Sequence, residues 1–239
     1  MARSPFGPWL RPAADVLDGP LAAVMKTAPF GADRRIGAAW LGTRTGDRDD
    51  GKPQWGGNLI LREIVQHADG TLGVAFPAEL MPAGAPPLPL SWQPLTPGAA
   101  CGGDSVQLAA AGSLEAVTAG GLPHDLHIRL QVLSEPGAAC FGVRLRSTAF
   151  NNGYTLAVLP QERCVRLNDQ AIYAVAGLDG LLTLDIVAQG DILDVSIAGA
   201  GSHRCILDRC PQRRGDRVYF YAHNANLTLE HVTVQPLGN

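Results

Sequence analysis

The sequence predicts an all-β protein: a small unit of about four strands, followed by an antiparallel β-sandwich. Three observations predict it. Short apolar runs alternate with polar residues at period two, the spacing of a strand with one buried face. Turn-forming residues recur between those runs, drawn from 28 Gly and 18 Pro in 239 residues. No segment after Ser105 carries a helical period.

Residues 1 to about 80 read as the first unit. Lys26 to Phe30 has the composition of a strand end. Arg34 to Leu41 is a strand with Ile36, Ala38 and Trp40 on alternate positions. The loop Thr43 to Lys52 is charged, with Asp47, Asp49 and Asp50 among Arg44, Arg48 and Lys52, and it is expected to be a solvated hairpin loop. Trp55-Gly56-Gly57 reads as a turn into an apolar strand, Asn58 to Gln66. Ala68-Asp69-Gly70 then makes a tight turn into Leu72 to Phe76. A single four-stranded sheet cannot bury both faces by itself and needs a neighbour.

Residues 81–104 are rich in Pro, Gly and Ala. Proline lacks the backbone donor, so this stretch is expected to be a linker or a strap over a surface. Residues 105–239 carry the sandwich. Leu126, Ile128, Leu130 and Val132 share one face against His127, Arg129 and Gln131. The alternation recurs in Leu182 to Ile186, Leu193 to Ile197 and Val218 to Ala222. Other expected strands are Val106 to Leu108, Leu114 to Thr118, Cys140 to Leu145, Tyr154 to Leu159 and Cys164 to Leu167. In Leu227 to Val234 the apolar phase reverses, which predicts a β-bulge at Glu230-His231. Turns are expected at Asn151-Asn152-Gly153, Asn168-Asp169, Asp179-Gly180, Gly190-Asp191 and Gly199-Ala200-Gly201.

Composition bounds the function. Hydrophobic residues make up 46% of the chain and charged residues 17%, enough to build a core. The formal net charge of −3 gives no field for nucleic acid or anionic lipid, so neither partner is expected. No apolar run is long enough for a membrane helix. Met1 to Val16 lacks the apolar centre of a secretion signal, and the five cysteines cannot all pair within one chain. Free thiols in a cytoplasmic, reducing compartment are expected. No cofactor or metal is expected. His203, Cys205 and Cys210 lack a matched fourth zinc ligand and read as ordinary strand residues. Arg204, Arg209, Arg213, Arg214 and Arg217, interleaved with Asp208 and Asp216, read as a salt-bridged surface. Tyr219 and Tyr221 read as an exposed sheet face.

One ordered set of motifs goes further. Arg34-Arg35-Ile36, Trp40, Trp55-Gly56-Gly57, Leu59-Ile60-Leu61, Arg62-Glu63, Asp69-Gly70-Thr71-Leu72 and Pro77-Ala78-Glu79-Leu80 follow one another with a sandwich behind them. This resembles the last propeller blade and C-terminal sandwich of glycoside hydrolase family 32, the invertases, levanases and relatives. The resemblance implies a remnant of a five-bladed propeller over residues 1–80, the 81–104 linker and the 105–239 sandwich. For the complete protein it implies hydrolysis of O-glycosidic bonds with retention. Departures are Leu61 before Arg62, where the family has Pro, and Asp194-Val195-Ser196-Ile197 in place of a Glu-Val-Phe segment.

A retaining glycosidase needs two carboxyl groups about 5–5.5 Å apart. The family draws them from Asn-Asp-Pro, Glu-Cys and Arg-Asp-Pro motifs, and none occurs here. The chain is read as starting after those blades, so no catalytic residue is assigned and no catalysis by this chain alone is expected. Trp55 and Trp40, whose indole faces can stack on sugar rings, and Arg62 are the expected substrate-binding residues, with carbohydrate as the partner. The open sheet is expected to pair with the missing propeller blades or to self-associate as a homodimer. The alternative reading is a non-catalytic carbohydrate-binding or structural module that self-associates.

Overall fold

The computed structural model describes residues 4–12, 15–81, 85–102 and 105–238. Residues 82–84 and 103–104 of the expected linker lie outside the described residues, as do 1–3 and 13–14 of the first expected unit and 239 of the second. The fold is all-β, as the alternation predicts. The first sheet has four antiparallel strands in the order β1 (Ala22–Phe30), β2 (Arg34–Arg44), β3 (Pro53–Gln66) and β4 (Leu72–Ala75).

β3 is longer than expected. Trp55-Gly56-Gly57 is not a turn but part of the strand, and the chain bulges through it. Gly56 and Gly57 have φ of 87° and 154°, and a Cβ on Gly57 would sit 1.9 Å from the Leu41 carbonyl oxygen. Two glycines are therefore what let β3 stay paired with β2 while changing register there.

The expected strap is partly ordered into β5 (Gln93–Pro94) and β6 (Ala99–Gly102), both paired with β7 (Ser105–Ala119). Leu88, Leu90 and Trp92 pack on the core. After β7 come β8 (Leu126–Ser134), β9 (Cys140–Ser147), β10 (Tyr154–Leu159), β11 (Cys164–Leu167), β12 (Gln170–Ile172), β13 (Leu181–Gln189), β14 (Ile192–Gly199), β15 (Ser202–Arg209) and β16 (Arg217–Pro236). Together β5 to β16 form one antiparallel sheet of 12 strands folded over on itself, in the order β12-β11-β10-β9-β16-β8-β13-β14-β15, with β7 alongside β16 and β5 and β6 paired to β7.

The fold-over rests on two long strands. β16 pairs with β9 through Arg217–His223 and with β8 through Leu227–Pro236, while β7 runs beside both parts. Each pair of runs that reads as separate strands in the sequence, Val106–Leu108 with Leu114–Thr118 and Val218–Ala222 with Leu227–Val234, is one continuous strand. The phase reversal in β16 is a bulge where expected: the register against β8 shifts between Glu230 and Thr233, and His231 has φ of 52°.

The inward alternations of β8, β13 and β14 meet as Ile128, Leu130, Leu182, Leu184, Ile186, Val195 and Ile197 in a single large core. Burying each such side chain is worth about 1.5–3 kcal/mol. Tyr219 and Tyr221 are not an exposed face: they alternate with the core residues Val218, Phe220 and Ala222 of β16, yet each is only 5% exposed. Phe150 meets both rings edge-on, and the Arg144 guanidinium lies 3.9 Å from the Phe150 centroid. Among the described residues no helix is long and apolar enough to cross a membrane.

Candidate functional site

The four-stranded sheet is mounted on the sandwich through β15. Ala39, Leu41 and Ile60 on its inner face cluster with Leu207, and Val74 of β4 is buried over Cys205. Just before β1, Asp18 bridges to Cys205, and the Gly19 amide donates to the Cys205 carbonyl at 3.0 Å.

Polar side chains bind this seam. Arg62 lies in phase with Ile60 and so points inward; it is 1% exposed. Its Nε donates to Asp18 at 2.6 Å, and its two terminal nitrogens donate to the two oxygens of Asp194 at 2.8 Å. The Phe76 ring lies 5.4 Å from its guanidinium carbon. Burial opposes the arginine charge, but Asp194 and Asp18 hold its pKa well above the ordinary value. Burial also lifts Asp18 to about 6, against the pull of Arg62. Arg62 does not pair with Glu63, which faces the other way and binds Arg34.

A second group binds the seam at the other end of β2. Buried Arg44 donates to Asp208 at 2.7 Å and to the Gly51 carbonyl. Arg209 reaches back from β15, donating to the Gly42 carbonyl at 2.9 Å, Asn58 at 2.6 Å and Asp191 at 2.6 Å. Buried Arg204 donates to the Leu72 carbonyl. The expected salt-bridged basic surface is therefore split, because Arg204 and Arg209 are seam residues. The charged loop is not merely solvated either: Asp49 accepts a 2.8 Å hydrogen bond from the Tyr154 hydroxyl, and its amide donates to Gln212.

Trp40 and Trp55 come together. Trp40 alternates away from Ala39 and Leu41, and the bulge in β3 swings Trp55 beside it, with ring centroids 6.0 Å apart and planes at 53°. Trp40 is half-buried, whereas Trp55 is 86% exposed. They wall a cleft of about 300 Å³ with Pro20, Leu21, Arg44 and Arg209. Arg62 is not in this cleft. It lies under a separate groove with Leu59, Phe76, Leu80 and Asp194.

This cleft offers two tilted indole faces, with the guanidinium groups of Arg44 and Arg209 buried at its base and already bonded within the seam. The indoles suit an amphipathic ring with apolar C–H faces. Among the described residues no carboxylate lines it, and the two-carboxyl chemistry of glycoside hydrolysis needs a pair. Asp18 and Asp194 are close and one has a raised pKa, but Arg62 lies between them and Asp18 is sealed beneath β15.

Sequence reasoning missed Arg44, Arg209, Asp18 and Asp194 as seam residues. The signal for Arg62 was present, since a charge in phase with Ile60 and Ile64 must be buried with a partner. His203, Cys205 and Cys210 do not converge: Cys205 faces Val74, Cys210 faces Asn168, and His203 stacks on His67 at 5.3 Å.

No protein-family model matches the chain, and no curated protein sequence matches it. Solved structures do. An exo-inulinase from Aspergillus awamori aligns over 93% of this chain and 44% of its own, with TM-score 0.63 and 11% identity. Fructan 1-exohydrolase IIa from Cichorium intybus aligns over 93% of this chain and 49% of its own, with TM-score 0.59 and 13% identity. A glycoside hydrolase family 32 structure from Bifidobacterium adolescentis aligns over 92% of this chain and 32% of its own, with TM-score 0.50 and 15% identity. The chain spans less than half the length of each. At these identities the likeness is one of fold, and over most of its length the fold of this chain is that of glycoside hydrolase family 32 structures, as the ordered motifs of its first unit anticipate.

Proposed function

We propose that these residues are the C-terminal portion of a family 32-like carbohydrate-active protein. In this reading β1 to β4 are a propeller blade, residues 105–239 are the accompanying sandwich, and the complete protein hydrolyses O-glycosidic bonds. The chain by itself binds sugar without cleaving it. One observation carries the reading: the alignment with an exo-inulinase covers 93% of the chain and so extends over both the four-stranded sheet and the sandwich. The outer face of the sheet supports it. Leu59 and Trp55 are exposed there beside Trp40, an apolar surface of the kind a neighbouring blade or a second copy covers. The five free thiols support work in a reducing compartment.

The Trp40–Trp55 cleft is the proposed contact for sugar. Titration of the chain with inulin oligosaccharides, followed by tryptophan fluorescence, tests it. Trp55→Ala is expected to weaken binding at least tenfold with no change in thermal midpoint beyond a few degrees, because the side chain is exposed. Equal affinity in the variant would remove the cleft from the proposal. Hydrolysis of aryl glycosides or fructans by the purified chain would overturn the non-catalytic reading.

A further inference from the structure

A second opening lies far from Trp55 in the sequence and is built wholly by the sandwich. The turn after β8, the turn between β10 and β11, and the loop between β12 and β13 meet around a space of about 320 Å³. Its walls include Arg163, Asp179 and Gln161. Neither charged group is spent on structure. Among the described residues the Arg163 side chain makes one long contact, 3.5 Å from Nη2 to the Ala174 carbonyl, and no ion pair. Asp179 has no hydrogen-bond or ion-pair partner among the described residues, and the two do not pair with each other. This contrasts with the seam, where Arg62 and Arg44 are each held by carboxylates.

The frame around these groups is fixed. Gln161 donates through Nε2 to the Gly137 carbonyl at 2.7 Å, tying two of the turns together and leaving its Oε1 free to accept. The Arg163 amide donates to Pro160, and its carbonyl accepts from Val175. Gly177 lies so close to Ala200 that a Cβ there would come 2.5 Å from its carbonyl oxygen. Arg163 and Ala174 both have positive φ, 50° and 57°, conformations that a non-glycine residue keeps only when its surroundings hold it there.

We infer that this opening is a binding site for a neutral polyhydroxyl ring, a sugar unit, separate from the tryptophan cleft. The chemistry selects the class. A guanidinium and a carboxylate in one opening cancel in charge, so an anion is attracted by Arg163 and repelled by Asp179, and a cation meets the reverse. A hydroxyl both donates and accepts. Hydroxyls on adjacent carbons can accept from Arg163 and donate to Asp179 or to Gln161 Oε1. The assignment of sugar as ligand agrees with the function proposed above but rests on different residues.

Isothermal titration of the whole chain with inulin oligosaccharides, and separately with inorganic phosphate, tests the inference. It is run on wild type, Trp55→Ala, Asp179→Asn, Arg163→Gln, and Trp55→Ala combined with Asp179→Asn. The expected result is two-site sugar binding in wild type, of which Trp55→Ala weakens one phase and leaves the other, and the remaining phase falls at least tenfold when Asp179→Asn is added, with no response to phosphate. Arg163→Gln weakens sugar binding similarly. All these side chains are exposed, and an unchanged thermal midpoint verifies the fold. Binding abolished by Trp55→Ala alone, or unaffected by Asp179→Asn and Arg163→Gln, would overturn the second site and leave the tryptophan cleft standing. Binding unaffected by Trp55→Ala but lost in Asp179→Asn would do the opposite. Phosphate binding that depends on Arg163 would make this an anion site and overturn the inference, and no sugar binding in wild type would overturn both.

Discussion

The seam shows how one residue's environment sets its chemistry. Asp18 accepts from Arg62 and from the Gly19 amide, and both contacts favour its charge. Burial outweighs them, and its pKa stands near 6, above the roughly 3.9 of a free aspartate. The folded chain therefore takes up a proton on Asp18 at a pH where the unfolded chain does not. Its contribution to stability is full below about pH 4 and is lost as the pH rises through about 6. His203 works in the opposite sense: burial, and the neighbouring His67 and Arg204, hold its pKa below the ordinary histidine value, so acid costs stability there. Comparing Asp18→Asn with wild type isolates the aspartate. Urea unfolding at pH 4, 5 and 7 is expected to show wild type losing ground to the variant as the pH rises. A constant difference across the three would refute the raised pKa.

At the scale of the element, β3 depends on its paired glycines. Gly57 has no room for a Cβ against Leu41, while Gly56 has positive φ but nothing within 4 Å of the position a Cβ would take. Gly57→Ala is expected to destabilise by more than about 1 kcal/mol and to displace Trp55 from Trp40, because β2 and β3 cannot close. Gly56→Ala is expected to cost only the strain of its backbone, about 1 kcal/mol. Urea denaturation and near-ultraviolet circular dichroism of the tryptophans measure both effects. Equal losses in the two variants would mean that the close approach does not control the bulge. The bulge in β16 was legible from its reversed apolar phase, because a phase is a local property. The bulge in β3 was not, because Trp-Gly-Gly reads equally as a turn until a partner strand fixes its register.

At the scale of the molecule, a modest apolar contact joins sheet to sandwich, and buried guanidinium groups reinforce it. Arg62→Leu removes the shared partner of Asp18 and Asp194. Leaving carboxylates buried without their counter-charge typically costs about 3–5 kcal/mol. The expected outcome is a loss of that order in urea unfolding at pH 7, with the four-stranded sheet released before the sandwich. A loss under about 1 kcal/mol would mean that the seam is held by its apolar contacts alone.

The sequence by itself determined the all-β class, most strands of the sandwich though not β12 or β15, most of the turns, and the bulge at Glu230-His231. All of these follow from period and turn chemistry within a few residues. The tertiary structure alone decided that runs separated by a polar break are single strands bent across the fold, that β12 and β15 join the sheet, that Tyr219 and Tyr221 are buried, and that Arg62 is a seam residue while Trp40 and Trp55 share a cleft. The reason is separation along the chain. Arg62 meets Asp194 across 132 residues and Arg44 meets Asp208 across 164. No local pattern encodes such a partner, because it is chosen by how two sheets come to rest on each other.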